Sequence, residues 1–446
     1  FIEGALPGEK IEYEVYRSKP SFELGLTTEI YKESPLRVLP KCPYFGVKDG
    51  SCGGCVMQHL EAHAQVAMKQ KVLWHIGRVR PEQVLAPIYG SAWRYRHRAR
   101  LSVREVAKKG TVLVGFHEKR SSFIADMKSC EILPKRVSDL LVPLRELINS
   151  LSLRKKLPQI ELAVTDEALA LVLRVLEKPT ADDEAKLRQF QKNYGVDFWY
   201  QPKGPDSIYP MDPENAARLK LHHRETGVEV VFRPTDFTQV NHRLNEVMVT
   251  RALRLLHLEP SSKVIDFFCG LGNFTLPLAT RTAKVLGIEG SSELVERARA
   301  GAKDNNLADK TEFEARNLFD WTLDDWDAVW NKLGGVDRVL IDPPREGAMA
   351  LCRSLAETDK RPARLVYVSC NPATLARDAA LLVREGGWKL LSAGVMNMFP
   401  HTAHVESIAV FEPGPKPVKV DEIDEIEIGG MTEEAEQEAR SEEPMI

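Results

Sequence analysis

Cys370 and Asp342 are the two residues of this sequence whose surroundings most clearly suggest chemistry. Each comes at the end of an apolar run, at residues 365–368 and 339–341, and each is followed within two residues by a proline that cannot continue a strand. In an open α/β sheet, ligands bind in crevices at the carboxyl ends of the strands. We therefore predict that a thiol and a carboxylate face one such crevice. A strand merely stopped by proline would explain either segment alone but accounts less well for both.

A glycine turn followed by acidic and amide residues predicts a site for a nucleoside. Residues 264–274 have the pattern of a strand, a Gly-Leu-Gly turn and the start of a helix, whose free N–H groups attract an anion. Glu289 ends the next strand, where a carboxylate can accept hydrogen bonds from both hydroxyls of a ribose. Asn317 ends a third strand and can meet an adenine edge. Together with the Asp342 turn, these residues indicate S-adenosylmethionine.

The main alternative for this turn is a dinucleotide-dependent dehydrogenase, whose fingerprint has the same order of strand, glycine turn, helix and acid. Here the third glycine of that fingerprint is replaced by Thr275. No Ser/Tyr/Lys or His set for hydride transfer stands out downstream. Because short glycine patterns are common, the turn favours S-adenosylmethionine only in combination with Glu289 and the proline turn after Asp342.

The composition predicts a globular chain of several domains. Its 446 residues, 43% of them hydrophobic, can form ordinary cores, and no apolar run approaches the roughly 18 residues that span a bilayer. The net charge of −3 is uneven, because residues 412–446 carry −9 and the rest carries +6. A basic body suits a polyanionic partner. Seven cysteines, an odd number, favour a reducing compartment, so we expect a cytoplasmic protein with no membrane partner.

Changes of residue pattern divide the chain into five parts. Short alternating stretches over 1–40 predict part of a small β-barrel, and a cysteine-containing segment with a helix follows over 41–89. Strands and helices mix without regular order over 90–232, which predicts a central α+β domain. They alternate over 233–412, which is typical of a doubly wound parallel sheet. The proline-rich, acidic stretch 413–446 predicts a disordered tail.

Four of the seven cysteines are spaced as metal ligands. They stand as C-x9-C-x2-C-x74-C at Cys42, Cys52, Cys55 and Cys130, and apolar residues at helical spacing over 56–79 predict a helix directly after the close pair. Four thiolates suit either tetrahedral zinc or an iron–sulfur cubane. A zinc ribbon usually supplies two C-x2-C pairs, and this chain has one of them, so the spacing alone leaves both metals open.

Alternating arginines predict a surface for a polyanion. The stretch 93–101 would place four guanidinium groups on one face of a strand and aromatic or aliphatic side chains on the other, the four being Arg94, Arg96, Arg98 and Arg100. Such a row repels itself unless a polyanion such as RNA lies across it. The alternative is a solvated edge strand that protects the sheet from aggregation.

Four motifs in the second half of the chain resemble those of the RNA uracil-5-methyltransferases. They are DFFCGLGNFT at 266–275, DPPR at 342–345, VSCNP at 368–372 and HVES at 404–407. They stand in the family's order and at compatible spacings, and the resemblance runs from Pro40 to Phe411. Within the family, CPYFG at 42–46 and CGGC at 52–55 resemble the bacterial 23S ribosomal RNA enzymes that carry an N-terminal TRAM domain and an iron–sulfur cluster.

The resemblance implies a fold and roles for individual residues. The fold is multidomain α/β, with a class I (Rossmann-like) methyltransferase domain, an OB-like TRAM barrel and a four-iron, four-sulfur cluster on the four spaced cysteines. Cys370 would be the nucleophile that adds to C6 of uracil, and Glu406 the base that removes the C5 proton. His401 and His404 are the alternatives for proton transfer. S-adenosylmethionine would be held by Gln239, Phe268, Asn273, Glu289, Asn317 and Asp342.

The sequence therefore predicts an S-adenosylmethionine-dependent uracil-5-methyltransferase that acts on a loop of 23S ribosomal RNA, where an unpaired uracil can be flipped into the site. We expect a monomer without a protein partner. The same chemistry on tRNA or on another ribosomal RNA loop is the nearest alternative. An RNA-binding chaperone without catalysis is the alternative from another class, and it would not need both Cys370 and Glu406.

Overall fold

The N-terminal part of the chain forms a small sheet. The structure is a computed structural model that describes residues 1–76 and 80–417 of the 446-residue chain. The sheet has the strand order β1-β3-β2, from β1 (Ile2–Glu3), β2 (Lys10–Lys19) and β3 (Phe22–Lys32). Strands β2 and β3 pair as an antiparallel hairpin. The barrel predicted for this region remains a prediction.

Helix α1 (Ala62–Ile76) follows the cysteine segment and packs on the largest sheet of the molecule. It begins six residues later than predicted, because the backbone N–H groups of Val56 and Met57 both donate to the carbonyl of His401 and draw this stretch into a turn. The last predicted helical residues, 77–79, lie outside the described residues. The side chains of Val66 and Leu73 are buried in the core beside that sheet.

The central region contains a six-stranded mixed sheet with the order β10-β9-β8-β7-β5-β6. Strands β8 and β9 are parallel, and the other pairs are antiparallel. Its helices are α2 (Lys135–Ser138), α3 (Leu141–Ser150) and α4 (Ala181–Tyr194). Its strands are β5 (Arg98–Val106), β6 (Thr111–Gly115), β7 (Gln159–Val164), β8 (Leu169–Arg174), β9 (Asp197–Gln201) and β10 (Tyr209–Pro210). A separate antiparallel hairpin, β11 (Leu219–His223) and β12 (Val228–Phe232), follows it.

An eight-stranded sheet forms the C-terminal half, with the order β15-β14-β13-β16-β17-β19-β18-β4. Its strands are β4 (Gln83–Val84), β13 (Lys263–Phe267), β14 (Lys284–Glu289), β15 (Thr311–Ala315), β16 (Arg338–Ile341), β17 (Arg364–Ser369), β18 (Trp388–Met396) and β19 (Glu406–Pro413). Strands β13 to β17 are parallel, and β19 runs antiparallel between β17 and β18. The predicted doubly wound α/β sheet is confirmed, and the strand order reverses between β13 and β16, where such sheets bind ligands.

Helices cover both faces of this sheet. They are α5 (His242–Leu255), α6 (Thr275–Ala279), α7 (Ser292–Asp304), α8 (Leu323–Leu333), α9 (Met349–Glu357) and α10 (Pro372–Ala380), which continues into a π-helical turn at Leu381–Glu385. One apolar cluster lies on each face, and a third fills the central region. Among the described residues, no helix is long and apolar enough to cross a membrane.

Candidate active site

A cavity of about 630 Å³ opens at the carboxyl ends of β13, β14, β16 and β17. Exposed aromatic rings stand at its rim, because Phe237 is 80% and Phe319 is 51% exposed. All eight residues that were predicted to bind the cofactor or to act in catalysis line it: Gln239, Phe268, Asn273, Glu289, Asn317, Asp342, Cys370 and Glu406. The sheet thus brings together side chains that are up to 167 positions apart in the sequence.

The glycine turn after β13 shapes one wall of the cavity. Gly270 and Gly272 have φ values of 54° and 89°, a backbone conformation that residues with a Cβ rarely adopt. The N–H of Gly270 donates to one carboxylate oxygen of Glu289 at 3.1 Å, and the N–H of Ser291 donates to the other oxygen at 3.1 Å. The turn and the acid at the end of β14 are therefore locked to each other, with the carboxylate at the cavity wall.

Two asparagines of the cavity are held by local hydrogen bonds. Asn273 exchanges reciprocal side-chain hydrogen bonds with Asn245 of α5, at 2.8 and 3.0 Å. Asn317 accepts from the N–H of Phe319 at 3.1 Å and donates to Asp320 at 2.5 Å. These contacts keep both amides at the wall of the cavity. Sequence reasoning did not find Asn245, which contributes to the site only through Asn273.

Strand pairing sets Cys370 opposite Glu406. The antiparallel ladder between β17 and β19 ends at the pair Ser369–Ser407. The next residue toward the cavity is Cys370, which follows β17, on one side and Glu406, the first residue of β19, on the other. Because β19 is an interior strand, Glu406 is buried, with 6% of its surface exposed, rather than being an edge residue in water. The thiol and the carboxylate therefore meet at one end of the cavity.

Burial raises the pKa of three acids at this end of the cavity, and neighbouring carboxylates raise the pKa of two of them further. Burial raises the pKa of Glu406 to about 7, although Lys69 and Arg345 lower it. Burial, with the nearby charge of Glu406, raises the pKa of Asp342 to about 8. Burial and the carboxylates of Glu406 and Asp342 raise the pKa of the Cys370 thiol to about 11, against the effect of Arg345. A carboxyl group with a pKa near neutrality is suited to proton transfer at the pH of the cell.

The two histidines considered for proton transfer occupy different positions. His404 lines the cavity, where its Nδ1 lies 3.2 Å from Nη2 of Arg345, and burial lowers its pKa. His401 packs against Trp93, with ring centroids 4.1 Å apart, and its backbone N–H donates to Gln65 at 2.8 Å. His401 is therefore a structural residue of the loop between β18 and β19, and His404 is held neutral beside a guanidinium group.

Comparison with known proteins identifies the family. A profile of the family tRNA (Uracil-5-)-methyltransferase matches residues 82–412. The chain belongs to this family. It is 57% identical, over 92% of its length and 89% of the relative's, to the 23S rRNA (uracil(1939)-C(5))-methyltransferase RlmD of Cupriavidus pinatubonensis. It is 55% identical to the enzyme of the same name from Ralstonia nicotianae, over 92% of each chain. The prediction of an RNA uracil-5-methyltransferase is confirmed.

A solved structure of another family member has the same fold. The Pyrococcus abyssi tRNA (uracil-54, C5)-methyltransferase, crystallised with S-adenosyl-L-homocysteine, superposes with a TM-score of 0.68 over 92% of this chain and 95% of its own. The two sequences are 23% identical. At this identity the likeness confirms the Rossmann-like methyltransferase fold and the mixed α/β architecture.

The four spaced cysteines of the methyltransferase line a second, small cavity. Cys42, Cys52, Cys55 and Cys130 share it with aromatic and aliphatic side chains. The N–H of Gly54 donates to the sulfur of Cys52 at 3.4 Å, a contact that stabilises a thiolate. Burial raises the pKa of Cys55 to about 11 and that of Cys130 to about 12. The four cysteines share one cavity, but within the described residues no group of three or more His, Cys, Asp or Glu side chains is arranged to hold a metal ion.

The predicted arginine row is wrong in its geometry. Strand β5 begins only at Arg98, and Arg94 has a φ of 59°, which breaks the extended backbone that a single row requires. The guanidinium of Arg94 donates to the carbonyls of Cys130 and Leu133 at 2.6 and 3.1 Å and supports the cysteine cavity instead. The sequence did not reveal these partners because they lie more than 35 residues away.

The other arginines of the stretch differ in exposure. Arg98 forms a largely buried ion pair with Glu161 of β7 at 2.7 Å, and Arg96 has a buried Nε without a hydrogen-bond partner among the described residues. Arg100 contacts the same glutamate at 3.4 Å, but its side chain is 66% exposed. Arg100 is therefore the member best placed to meet a polyanion, and the RNA-binding role of the set remains a prediction.

The ion pair gives a stability prediction. Arg98→Ala leaves the carboxylate of Glu161, whose side chain is 7% exposed, without its close partner, so we expect the free energy of unfolding to fall by about 3 kcal/mol. The matched variant Arg100→Ala removes an exposed partner and should cost under about 1 kcal/mol. Thermal unfolding of both variants beside the unchanged protein measures this difference. Equal losses would show that the Arg98 pair does not support the central sheet.

Proposed function

We propose that this protein methylates C5 of one uridine in 23S ribosomal RNA, with S-adenosylmethionine as methyl donor, Cys370 as nucleophile and Glu406 as base. The observation that carries the proposal is the β17–β19 register, which sets the thiol and the carboxylate side by side in the cavity that the glycine turn lines. The choice of 23S ribosomal RNA is supported by the names of relatives that are 55% to 57% identical over nearly the whole chain.

The cofactor would occupy the part of the cavity between β13, β14 and β16. The carboxylate of Glu289, already held by two backbone N–H groups, would accept from the ribose hydroxyls. Asn317, two residues after β15, would meet the adenine, and the ring of Phe268 would cover the face of the adenine. The remaining polar residues, Gln239, Asn273 and Asp342, would bind the amino-acid portion and place the methyl group toward Cys370.

Covalent addition explains why a thiol is needed. Uracil C5 is a weak nucleophile, so Cys370, after its proton passes to solvent, adds through sulfur to C6 and shifts the C5=C6 electron pair into an enolate. C5 then forms a bond to the methyl carbon. The old bond from that carbon to the sulfonium sulfur breaks and leaves its electron pair on the sulfur, which gives S-adenosylhomocysteine.

Release of the product requires a base. Glu406 accepts the C5 proton, the C5–H electron pair restores the C5=C6 double bond, and the bond from C6 to the sulfur of Cys370 breaks with its electron pair returning to sulfur. With a pKa of about 7, Glu406 is partly ionised at neutral pH. The RNA leaves with one methyl group in place of one hydrogen.

We further propose that the second cavity holds a four-iron, four-sulfur cluster on Cys42, Cys52, Cys55 and Cys130. The group would supply four metal–sulfur bonds between the segment before α1 and the segment before α2, which are far apart in sequence. The reaction described above uses no electron transfer, so these cysteines would join two segments.

The N-terminal sheet would be part of a TRAM barrel. The protein would be a monomer in the cytoplasm.

A single substitution tests the cluster. Protein purified without oxygen should be brown and contain iron, and Cys130→Ser should lose most of the iron because one of four ligands is missing. Cys370→Ser, which changes a thiol outside this cavity, is the matched control and should keep its iron. Metal analysis and visible absorbance measure both. Stoichiometric zinc with negligible iron in the unchanged protein would contradict the cluster.

A transfer assay tests the proposed function. The protein is incubated with S-adenosylmethionine that carries a labelled methyl group, and with either 23S ribosomal RNA or tRNA from cells that lack the corresponding modification. We expect the label in 5-methyluridine of the ribosomal RNA. Label in tRNA alone would show that the substrate is tRNA and not 23S ribosomal RNA. Label in neither RNA, with the cofactor bound, would contradict the proposal.

A further inference from the structure

Helix α1 carries a buried lysine to the catalytic end of the large sheet. Lys69 is 2% exposed, and its ammonium donates to the side-chain oxygen of Asn397 and to the carbonyl of Phe399, both at 2.8 Å. Neither partner is charged. Burial of an ammonium without a contacting carboxylate lowers the free energy of unfolding. A buried lysine at this position therefore suggests a functional role. Lys69 lies outside residues 82–412 that the family profile matches.

The strand ladder places the hydrogen-bond partner of Lys69 next to the residue that pairs with Glu406. Met396 at the end of β18 pairs with Glu406 at the start of β19, and Asn397, which accepts from Lys69, is the next residue. Within the described residues, the carboxylate of Glu406 takes part in no hydrogen bond or ion pair of its own. Lys69 is therefore a nearby cation that is tied to the backbone of the same loop.

The charged groups around Glu406 come from four elements. Lys69 of α1 and Arg345 after β16 favour its carboxylate form. The charge of Glu406 opposes ionisation of Asp342 at the end of β16, and the charges of both carboxylates oppose ionisation of Cys370 after β17. His404, on the loop that precedes Glu406, has its pKa lowered by burial and is neutral. Two cations thus offset the cost of burying the base.

We propose that Lys69 is a positioning residue that keeps Glu406 ionised, so that the base can accept the C5 proton at neutral pH. This inference rests on the proposed function and acts through Glu406 alone, because Lys69 does not line the cavity. Burial raises the pKa of Glu406 to about 7 against the effect of Lys69 first and Arg345 second. Burial also lowers the pKa of Lys69 to about 8, which leaves the ammonium charged at neutral pH.

Loss of the lysine charge should slow one step of the reaction, the removal of the C5 proton that resolves the covalent adduct. Without Lys69, burial of Glu406 is opposed only by Arg345, so the carboxyl group holds its own proton at neutral pH and cannot take another. The covalent adduct between Cys370 and the RNA would form and accept the methyl group, but it would resolve slowly. Higher pH would ionise Glu406 again and restore resolution, whereas a purely structural defect would not recover in this way.

The test measures adduct resolution in a rapid-quench single turnover as a function of pH. This step follows addition of the thiolate, so titration of Cys370 does not enter it. Lys69→Gln keeps a hydrogen-bond donor, Lys69→Met keeps an unbranched side chain that is one atom shorter, and both remove the charge. In these variants the pH midpoint of resolution should rise by about one unit or more. Resolution should then be about fivefold or more slower at pH 7 and restored near about pH 9.

Two control variants keep a positive charge at position 69. Lys69→Arg keeps the charge, and Lys71→Gln removes a charge from an exposed residue of the same helix, so both should keep the midpoint of the unchanged protein. A charge-removing variant that folds and keeps that midpoint would overturn the proposal, as would a slow rate at every pH. Failure of the unchanged protein to form any adduct would instead contradict the proposed function. If one charge-removing variant does not fold, the other decides.

Discussion

Replacement of Glu406 by glutamine is expected to trap the protein on its RNA. The amide keeps the size of the side chain but cannot accept a proton, so addition of Cys370 and transfer of the methyl group proceed while loss of the C5 proton does not. Because Glu406 stands beside Cys370 at the end of the β17–β19 ladder, it is better placed than Glu289 and Asp342, the other carboxylates among the described residues that line the cavity. A denaturing gel should show a stable protein–RNA adduct, and multiple turnover should fall by roughly 10³-fold or more.

The double variant Cys370→Ala/Glu406→Gln is the matched control for this adduct. It retains the changed base but lacks the sulfur, so it should form no covalent product with the RNA. Rapid multiple turnover by Glu406→Gln alone would remove Glu406 as the base. His404 would then be the nearest candidate, since it lines the same cavity.

Replacement of Cys370 by alanine is expected to abolish methyl transfer. Without addition at C6 the uracil has no enolate to attack the methyl group, so turnover should fall by roughly 10⁴-fold or more. Binding of S-adenosylmethionine should stay within a few-fold, because the thiol would meet the base and the proposed cofactor contacts lie elsewhere in the cavity. Single-turnover methylation and equilibrium binding of the cofactor measure the two effects separately.

Cys352→Ala serves as the comparison variant for Cys370→Ala. Cys352 is buried in α9, away from the cavity, so its loss should leave turnover intact. Substantial turnover by Cys370→Ala would contradict the role of nucleophile. Loss of cofactor binding together with activity would indicate that the thiol supports the structure of the cavity.

Local sequence signals predicted the residues that stand at strand ends. Prolines after Asp342 and Cys370 and glycines after β13 act within a few residues, so their effect can be read before the fold is known. Parallel strands then place their ends at one edge, which is why Glu289, Asn317, Asp342 and Cys370 meet in one cavity. The other four residues of the site were predicted only from the resemblance to the family. The interior position of β19 could not be predicted from neighbouring residues in the sequence, because it depends on pairing with distant strands. This position is the reason that Glu406 is buried.

Contacts between distant segments were missed for a physical reason. Lys69 meets Asn397 across 328 positions, and only its place among the apolar residues of α1, between Val66 and Leu73, gave a signal. The arginine row was wrong because the partner of Arg98, Glu161, lies on a neighbouring strand that the alternation of arginines does not reveal. Charge alternation alone cannot distinguish a binding surface from a set of internal ion pairs.

The most direct test of the account is to locate the methyl group in RNA from cells. In a strain without this protein, mass spectrometry of 23S ribosomal RNA should find one 5-methyluridine missing at a single position. The unchanged protein should restore it, and Cys370→Ala should not. Restoration by Cys370→Ala, or loss of the methyl group from tRNA with ribosomal RNA unaffected, would contradict the account.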